Sequence, residues 1–190
     1  MHQSRQESDL GLWKQVQQDW AANGRDWFSL GFRAIAVHRL GERAEASNNR
    51  LVRLFLWRIY WFLQRHCRNR GIEIPPSVKI GRDVKIHHQG GIVFHPAAVI
   101  GDGCRIRNGV TIGAGSTRRS REAPRLGANV DIGVGAALLG DITVGEGSRI
   151  GANVVLTESV PADSVVVVER PKILLRDAAS GRYSEKPPTE

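Results

Sequence analysis

From Ile72 onward an aliphatic residue recurs every six positions, a spacing longer than either the 3.6-residue period of a helix or the two-residue alternation of a strand. The series reads Ile80, Ile86, Ile92, resumes two residues out of step as Ile100, Ile106, Ile112, and after a longer gap continues Leu126, Ile132, Leu138, Val144, Ile150, Leu156. Four residues after most of these comes a second small or β-branched residue: Val84, Gly90, Val110, Val130, Ala136, Ile142, Ser148, Val154, Val160. Short strands joined by tight corners produce such a pattern when their aliphatic residues stack into a core that no single repeat can close. The 21 glycines, above the usual share, supply the corners. Three hexads per turn give a triangular parallel β-helix, and the twelve positions predict about four coils. A β-sandwich would instead show turn clusters every 8–12 residues or so.

Before Ile72 the grammar is helical. Leu12, Trp13, Val16 and Trp20 share one face, and Phe32, Ile35, Ala36, Arg39 and Leu40 share another. A third helix is expected from Asn49 to about Arg70, with Ser47-Asn48-Asn49 before it as turn and N-cap residues. Gly24, Gly31, Gly41 and Gly71 are candidate breaks. The expected organisation is therefore a helical region over 1–71, a β-helix over 72–175 and a mobile polar tail over 176–190.

The net charge of +8 admits nucleic acid, anionic membrane or phosphorylated ligands as partners. No known nucleic-acid reader motif accompanies it, so nucleic acid is not expected. Arg50, Arg53, Arg58, Arg65, Arg68 and Arg70 alternate with Leu54, Trp57, Trp61 and Phe62. That segment either covers the open end of the solenoid or packs in a trimer, or it rests on anionic lipid. The two cysteines, Cys67 and Cys104, make no disulfide framework and suit a reducing compartment. Met1–Leu10 lacks a signal-like apolar core, and Leu51–Leu63 is too short to span a bilayer, so a soluble cytoplasmic protein is expected.

The break from Gly113 to Leu126 marks backbone that leaves the solenoid wall. It carries Arg118, Arg119, Arg121 and Arg125, suited to a carboxylate or a phosphorylated acceptor, or simply to a solvated loop.

The runs Ile72-Glu-Ile-Pro-Pro-Ser-Val-Lys-Ile-Gly81, Ile86-His-His-Gln-Gly-Gly-Ile-Val93 and Asn108-Gly-Val-Thr-Ile-Gly113 resemble, in order, the active-site coils of the hexapeptide-repeat acyltransferases. Within that family they are similar to the serine O-acetyltransferase group and its short relatives encoded with polysaccharide biosynthesis. The resemblance, covering about residues 72–175, implies a left-handed β-helix, a homotrimer or a pair of trimers, and acetyl-CoA as donor, with no metal. It assigns the catalytic base to His88 and its carboxylate partner, fifteen residues upstream, to Glu73, where the family usually has Asp. The roles are chemically apt. An alcohol becomes a competent nucleophile when an imidazole takes its proton, and an acid fixes that imidazole's tautomer.

The resemblance also places CoA along a groove between subunits, at positions matching Gly113, Ala114, Val134, Gly135 and Ala152, with Arg149, Arg170 and Lys172 toward its phosphates. Two positions depart from the serine enzymes. His87 stands where an acid usually helps hold the substrate, and Glu122 and Ala123 stand where an Arg-His pair engages the amino acid. The expected activity is O-acetylation of serine or a serine-like acceptor. Alternatives are a sugar O-acetyltransferase of exopolysaccharide synthesis and an inactive scaffold. Zinc catalysis, of the kind that needs three histidines across a trimer interface, does not fit the spacing of His87, His88 and His95.

Overall fold

The computed structural model describes residues 11–88, 90–116, 121–169, 174–176 and 183–185. Three helices come first: α1 (Leu12–Ala22), α2 (Leu30–Ala46) and α3 (Arg50–Arg68). The Asn49 side chain caps α3 by accepting hydrogen bonds from the amides of Leu51 and Val52 at 3.0 and 3.2 Å. Neither Gly31 nor Gly41 breaks a helix, contrary to expectation. Both lie inside α2, where the missing side chain permits close approach. A Cβ on Gly31 would strike the carbonyl oxygen of Ile86, and one on Gly41 would lie 2.7 Å from Pro76.

The chain then winds into parallel coils. The first holds β1 (Ile72–Glu73), β2 (Lys79–Ile80) and β3 (Lys85–His87), and the second β4 (Ile92–Phe94), β5 (Val99–Ile100) and β6 (Arg105–Arg107). The third has β7 (Thr111–Gly113), β8 (Arg125–Leu126) and β9 (Asp131–Ile132), and the fourth β10 (Ala137–Leu139), β11 (Thr143–Val144) and β12 (Arg149–Ile150). A partial fifth adds β13 (Val155–Leu156), a bridge at Val160 and β14 (Val165–Val166). Strands one coil apart pair in parallel, giving three walls: β1-β4-β7-β10-β13, β2-β5-β8-β11 and β3-β6-β9-β12-β14. This is the left-handed β-helix of the sequence pattern. A further antiparallel pair, β15 (Leu174–Arg176) with β16 (Tyr183–Glu185), spans the boundary expected at 175. The rest of the expected tail lies outside the described residues.

Stacked aliphatics fill the prism. Ile100, Ile106, Ile112, Ile132 and Leu138 are fully buried, each contributing roughly 1.5–3 kcal/mol of apolar burial. The ladder register corrects the phase read from sequence. Ile72 pairs with Ile92 and Phe94 with Ile112, so the wall position in step with Ile100 is Phe94, not Ile92. The two extra residues of that coil therefore lie between Ile86 and Phe94, at the corner holding His88. The eight extra residues of the third coil fall in the sequence between β7 and β8.

The first coil's open edge is closed by polar side chains from the helices, one set per wall. Asn23 donates to the Val84 carbonyl and accepts from the Ile86 amide on β3. Arg39 donates to the carbonyls of Ile80 and Gly81 beside β2. Gln64 donates to the Ile74 carbonyl just after β1. An edge strand presents unpaired backbone groups that bind another strand unless something else satisfies them, and these side chains do so. The aromatics of α3 were one candidate cover for this end. Of these, Tyr60 is buried in the coil core and Trp57 packs against it, joined by Cys67 of α3 and by Leu30, Ala34 and Ile35 of α2.

Candidate active site

His88 follows β3 directly and sits in the left-handed region at φ 60°, with Gly90 at 107° and Gly91 at 68° completing the corner. A non-glycine residue there costs about 1–2 kcal/mol, a strain that accumulates where geometry serves function. The conformation turns the imidazole out of the wall, and His88 is exposed. It lines a cleft with Asp26, Phe28, Ser29, Leu30, Gly31 and Ile86. Contact of Gly31 with the Ile86 backbone holds the α1–α2 turn over this corner. Asp26 is fixed within the turn by accepting the Phe28 amide at 2.8 Å. Sequence reasoning missed Asp26: it lies in a polar interhelical turn whose spacing says nothing of His88.

Glu73 faces outward on β1. Its Oε1 accepts a hydrogen bond from Arg68 Nη2 at 2.8 Å, and among the described residues no hydrogen bond joins it to His88. Glu73 lines a shallow pocket together with Trp57, Tyr60, Trp61, Gln64, Pro75 and Pro76. The two residues nevertheless belong to adjoining segments, because the Gly71 carbonyl accepts the Ile92 amide and a Cβ on Gly71 would lie 2.9 Å from the Gly91 nitrogen. Tyr60, beside them, has its phenol pushed up to about 12 by burial.

His87 points outward from the next wall, in register with Arg107. Burial, reinforced by Lys85, Arg107 and His88, holds its imidazole below the ordinary range. His95 accepts the Ala97 amide at its Nδ1. Among the described residues no group of three or more His, Cys, Asp or Glu is placed to hold a metal ion.

The positions expected to meet the donor fall in three places. Val134, Gly135 and Ala152 share the prism edge that begins at His88, and corners along that edge are tied by amide bonds from Gly109 to Gly90, Gly135 to Asn108 and Asn153 to Val134. Gly113 and Ala114 lie at the end of β7, where the third coil opens into its loop. Arg149 stands on the outward face of β12, in register with Asp131. Arg121 is exposed at the end of the long loop. Arg118, Arg119, Arg170 and Lys172 lie outside the described residues.

A hexad-repeat β-helix with an exposed histidine on a lengthened corner defines a hexapeptide-repeat acyltransferase. No family model matches the chain. It is 37% identical over 166 residues to the serine acetyltransferase of Helicobacter pylori strain J99, covering 85% of this chain and 93% of that protein. With the serine acetyltransferase of Synechococcus elongatus it shares 34% identity over 137 residues, 72% of this chain but 54% of that protein. The chain therefore belongs to the serine acetyltransferase family. Among solved structures, serine acetyltransferase isoform 3 from Entamoeba histolytica in complex with cysteine aligns at TM-score 0.72 and 27% identity, covering 89% of this chain and 63% of that one. The Neisseria gonorrhoeae enzyme in complex with serine aligns at 0.67 and 29%, covering 86% and 70%.

Proposed function

We propose that this protein transfers the acetyl group of acetyl-CoA to the hydroxyl of L-serine, with His88 as general base. The observation that carries the reading is the cleft in which exposed His88 faces the Asp26 turn, at the corner where its coil is two residues longer than three hexads. The serine hydroxyl donates its proton to the imidazole as its oxygen attacks the thioester carbon. The tetrahedral oxyanion then collapses, the C–S bond breaks, and the departing thiolate takes the proton from the imidazolium. Backbone amides near the glycine turns receive the developing oxyanion. Glu73 orients the base once Arg68 releases it.

Asp26 supplies what His87 does not, a carboxylate beside the base to receive the serine ammonium. Arg121, with Arg118 and Arg119, suits the substrate carboxylate. The likeness to serine acetyltransferases supports serine over a sugar hydroxyl, and a pure scaffold has no need of His88. For the donor, Val134, Gly135 and Ala152 offer an edge open to a pantetheine arm, Gly113 and Ala114 flank it, and Arg149, Arg170 and Lys172 suit the nucleotide phosphates. The proposed organisation keeps a helical region over 1–71 and a catalytic β-helix over 72–175, assembled as a homotrimer or a pair of trimers in the cytoplasm.

A thiol-release assay across L-serine, homoserine and nucleotide sugars tests the reading. Release of CoA with L-serine, lost in His88→Ala, is expected; turnover confined to a sugar overturns the acceptor, and undiminished turnover in His88→Ala overturns the base.

A further inference from the structure

Helix α3 is inside out. Its buried residues are Tyr60, Gln64 and Cys67, two of them polar, whereas Leu51, Phe55 and Phe62 stand 78%, 64% and 77% exposed. At 100° per residue these three, with Arg58 and Arg65, fall within one stripe running the length of the helix. Leu54 and Trp61 border it, both exposed. Amphipathic helices of globular proteins turn the apolar face inward, so an outward one of this size marks a surface that something covers. The whole helix, Arg50–Arg68, contains five arginines and no acid.

The charge decides the occupant. A second copy of the chain would bring the same cations against Arg58 and Arg65, with no acid on the helix to answer them. An anionic lipid surface accepts the apolar stripe among its acyl chains and the guanidinium groups at its phosphates. At 19 residues the helix is about 28 Å long, and no helix among the described residues is long and apolar enough to cross a membrane. We infer that α3 is an in-plane anchor that seats the protein on an anionic phospholipid surface through Leu51, Phe55 and Phe62, with Arg58 and Arg65 at the headgroups. The stripe faces away from the first coil, against which Tyr60 and Cys67 pack, so docking leaves the prism walls free.

Flotation of the full chain with vesicles of phosphatidylglycerol and phosphatidylcholine, and of phosphatidylcholine alone, tests this. Binding to the anionic vesicles only is expected. It should weaken by about fivefold for each of Arg58→Gln and Arg65→Gln, fall by tenfold or more, roughly, in Phe55→Ser/Phe62→Ser, and fade as salt rises. Circular dichroism and CoA release with acetyl-CoA and L-serine in the absence of vesicles report whether each variant is folded, independently of the lipid result. Equal binding to both vesicle types, no binding to either, or a folded Phe55→Ser/Phe62→Ser variant whose defect is a smaller oligomer, each overturns the inference; the last would give the face to a second copy.

Discussion

Arg68 Nη2 lies 2.8 Å from Glu73 Oε1, so the last turn of α3 holds the acid that the family pattern assigns to the base. Both side chains are nearly half exposed, and an exposed pair of this kind is worth only about 0–1 kcal/mol. Releasing Glu73 toward His88 is therefore inexpensive. Glu73→Gln is expected to lower kcat by roughly tenfold or more, since an amide cannot favour the imidazolium. Arg68→Ala should hold kcat or raise it. A larger loss in Arg68→Ala than in Glu73→Gln, measured at saturating serine, would show that the ion pair itself is the working state.

The strain at His88 and its chemistry are separable by one substitution. His88→Gly removes the base and also the left-handed penalty, so turnover should fall by about 10²–10⁴-fold while stability holds or rises by up to about 1 kcal/mol. Urea midpoints beside CoA-release rates check both halves.

Under the proposed function Asp26 is the charged acceptor for the substrate ammonium. Asp26→Asn keeps its shape and loses the charge, and should raise KM for serine by roughly 10- to 100-fold, the worth of a charge-assisted hydrogen bond, with a smaller effect on KM for acetyl-CoA. An unchanged KM for serine removes Asp26 from the acceptor site.

Arg39 and Asp19 form a buried pair at 3.0 Å, and Arg39 also satisfies the Ile80 and Gly81 carbonyls. Arg39→Met leaves Asp19 uncompensated and should cost about 3–5 kcal/mol by denaturant titration. Adding Asp19→Leu should recover much of the loss, because an apolar pair avoids burying one charge alone.

His87 makes stability fall on the acid side. Its folded pKa lies below the ordinary value, through burial and then the positive charge of Lys85 and Arg107. The folded state thus binds that proton more weakly than the unfolded chain. Its contribution is full above about pH 6.5 and is lost as pH drops through the lowered folded value. His87→Gln should flatten the dependence of Tm on pH in that window.

Much of the architecture was legible because a solenoid writes its period into the chain. Ile100 through Leu156 could be placed on walls from spacing alone. The phase error at Ile92 arose because β4 buries two residues, Ile92 and Phe94, and spacing cannot tell which of two inward residues continues the column. The helical contribution was hidden for another reason. Asn23 and Gln64 belong to no pattern in the sequence, and the helical face that includes Arg39 says nothing of the first coil's open edge that these three side chains satisfy. The place of Asp26 beside His88 was invisible for the same cause, since it depends on where a turn lands rather than on its neighbours in sequence. The proposal of His88 as base rests on family pattern, since two histidines beside glycines otherwise describe a solvated turn.

The coils differ in length, advancing 20 residues from Ile80 to Ile100, 26 to Leu126, 18 to Val144 and 16 to Val160, yet one ladder links all of them in register. Length is thus absorbed at corners and never transmitted along a wall. Each corner behaves as an independent socket, so the arginine-bearing loop can be lengthened, trimmed or exchanged without moving His88. On the proposed reading, small insertions there should change acceptor choice while leaving the folding of the coils untouched.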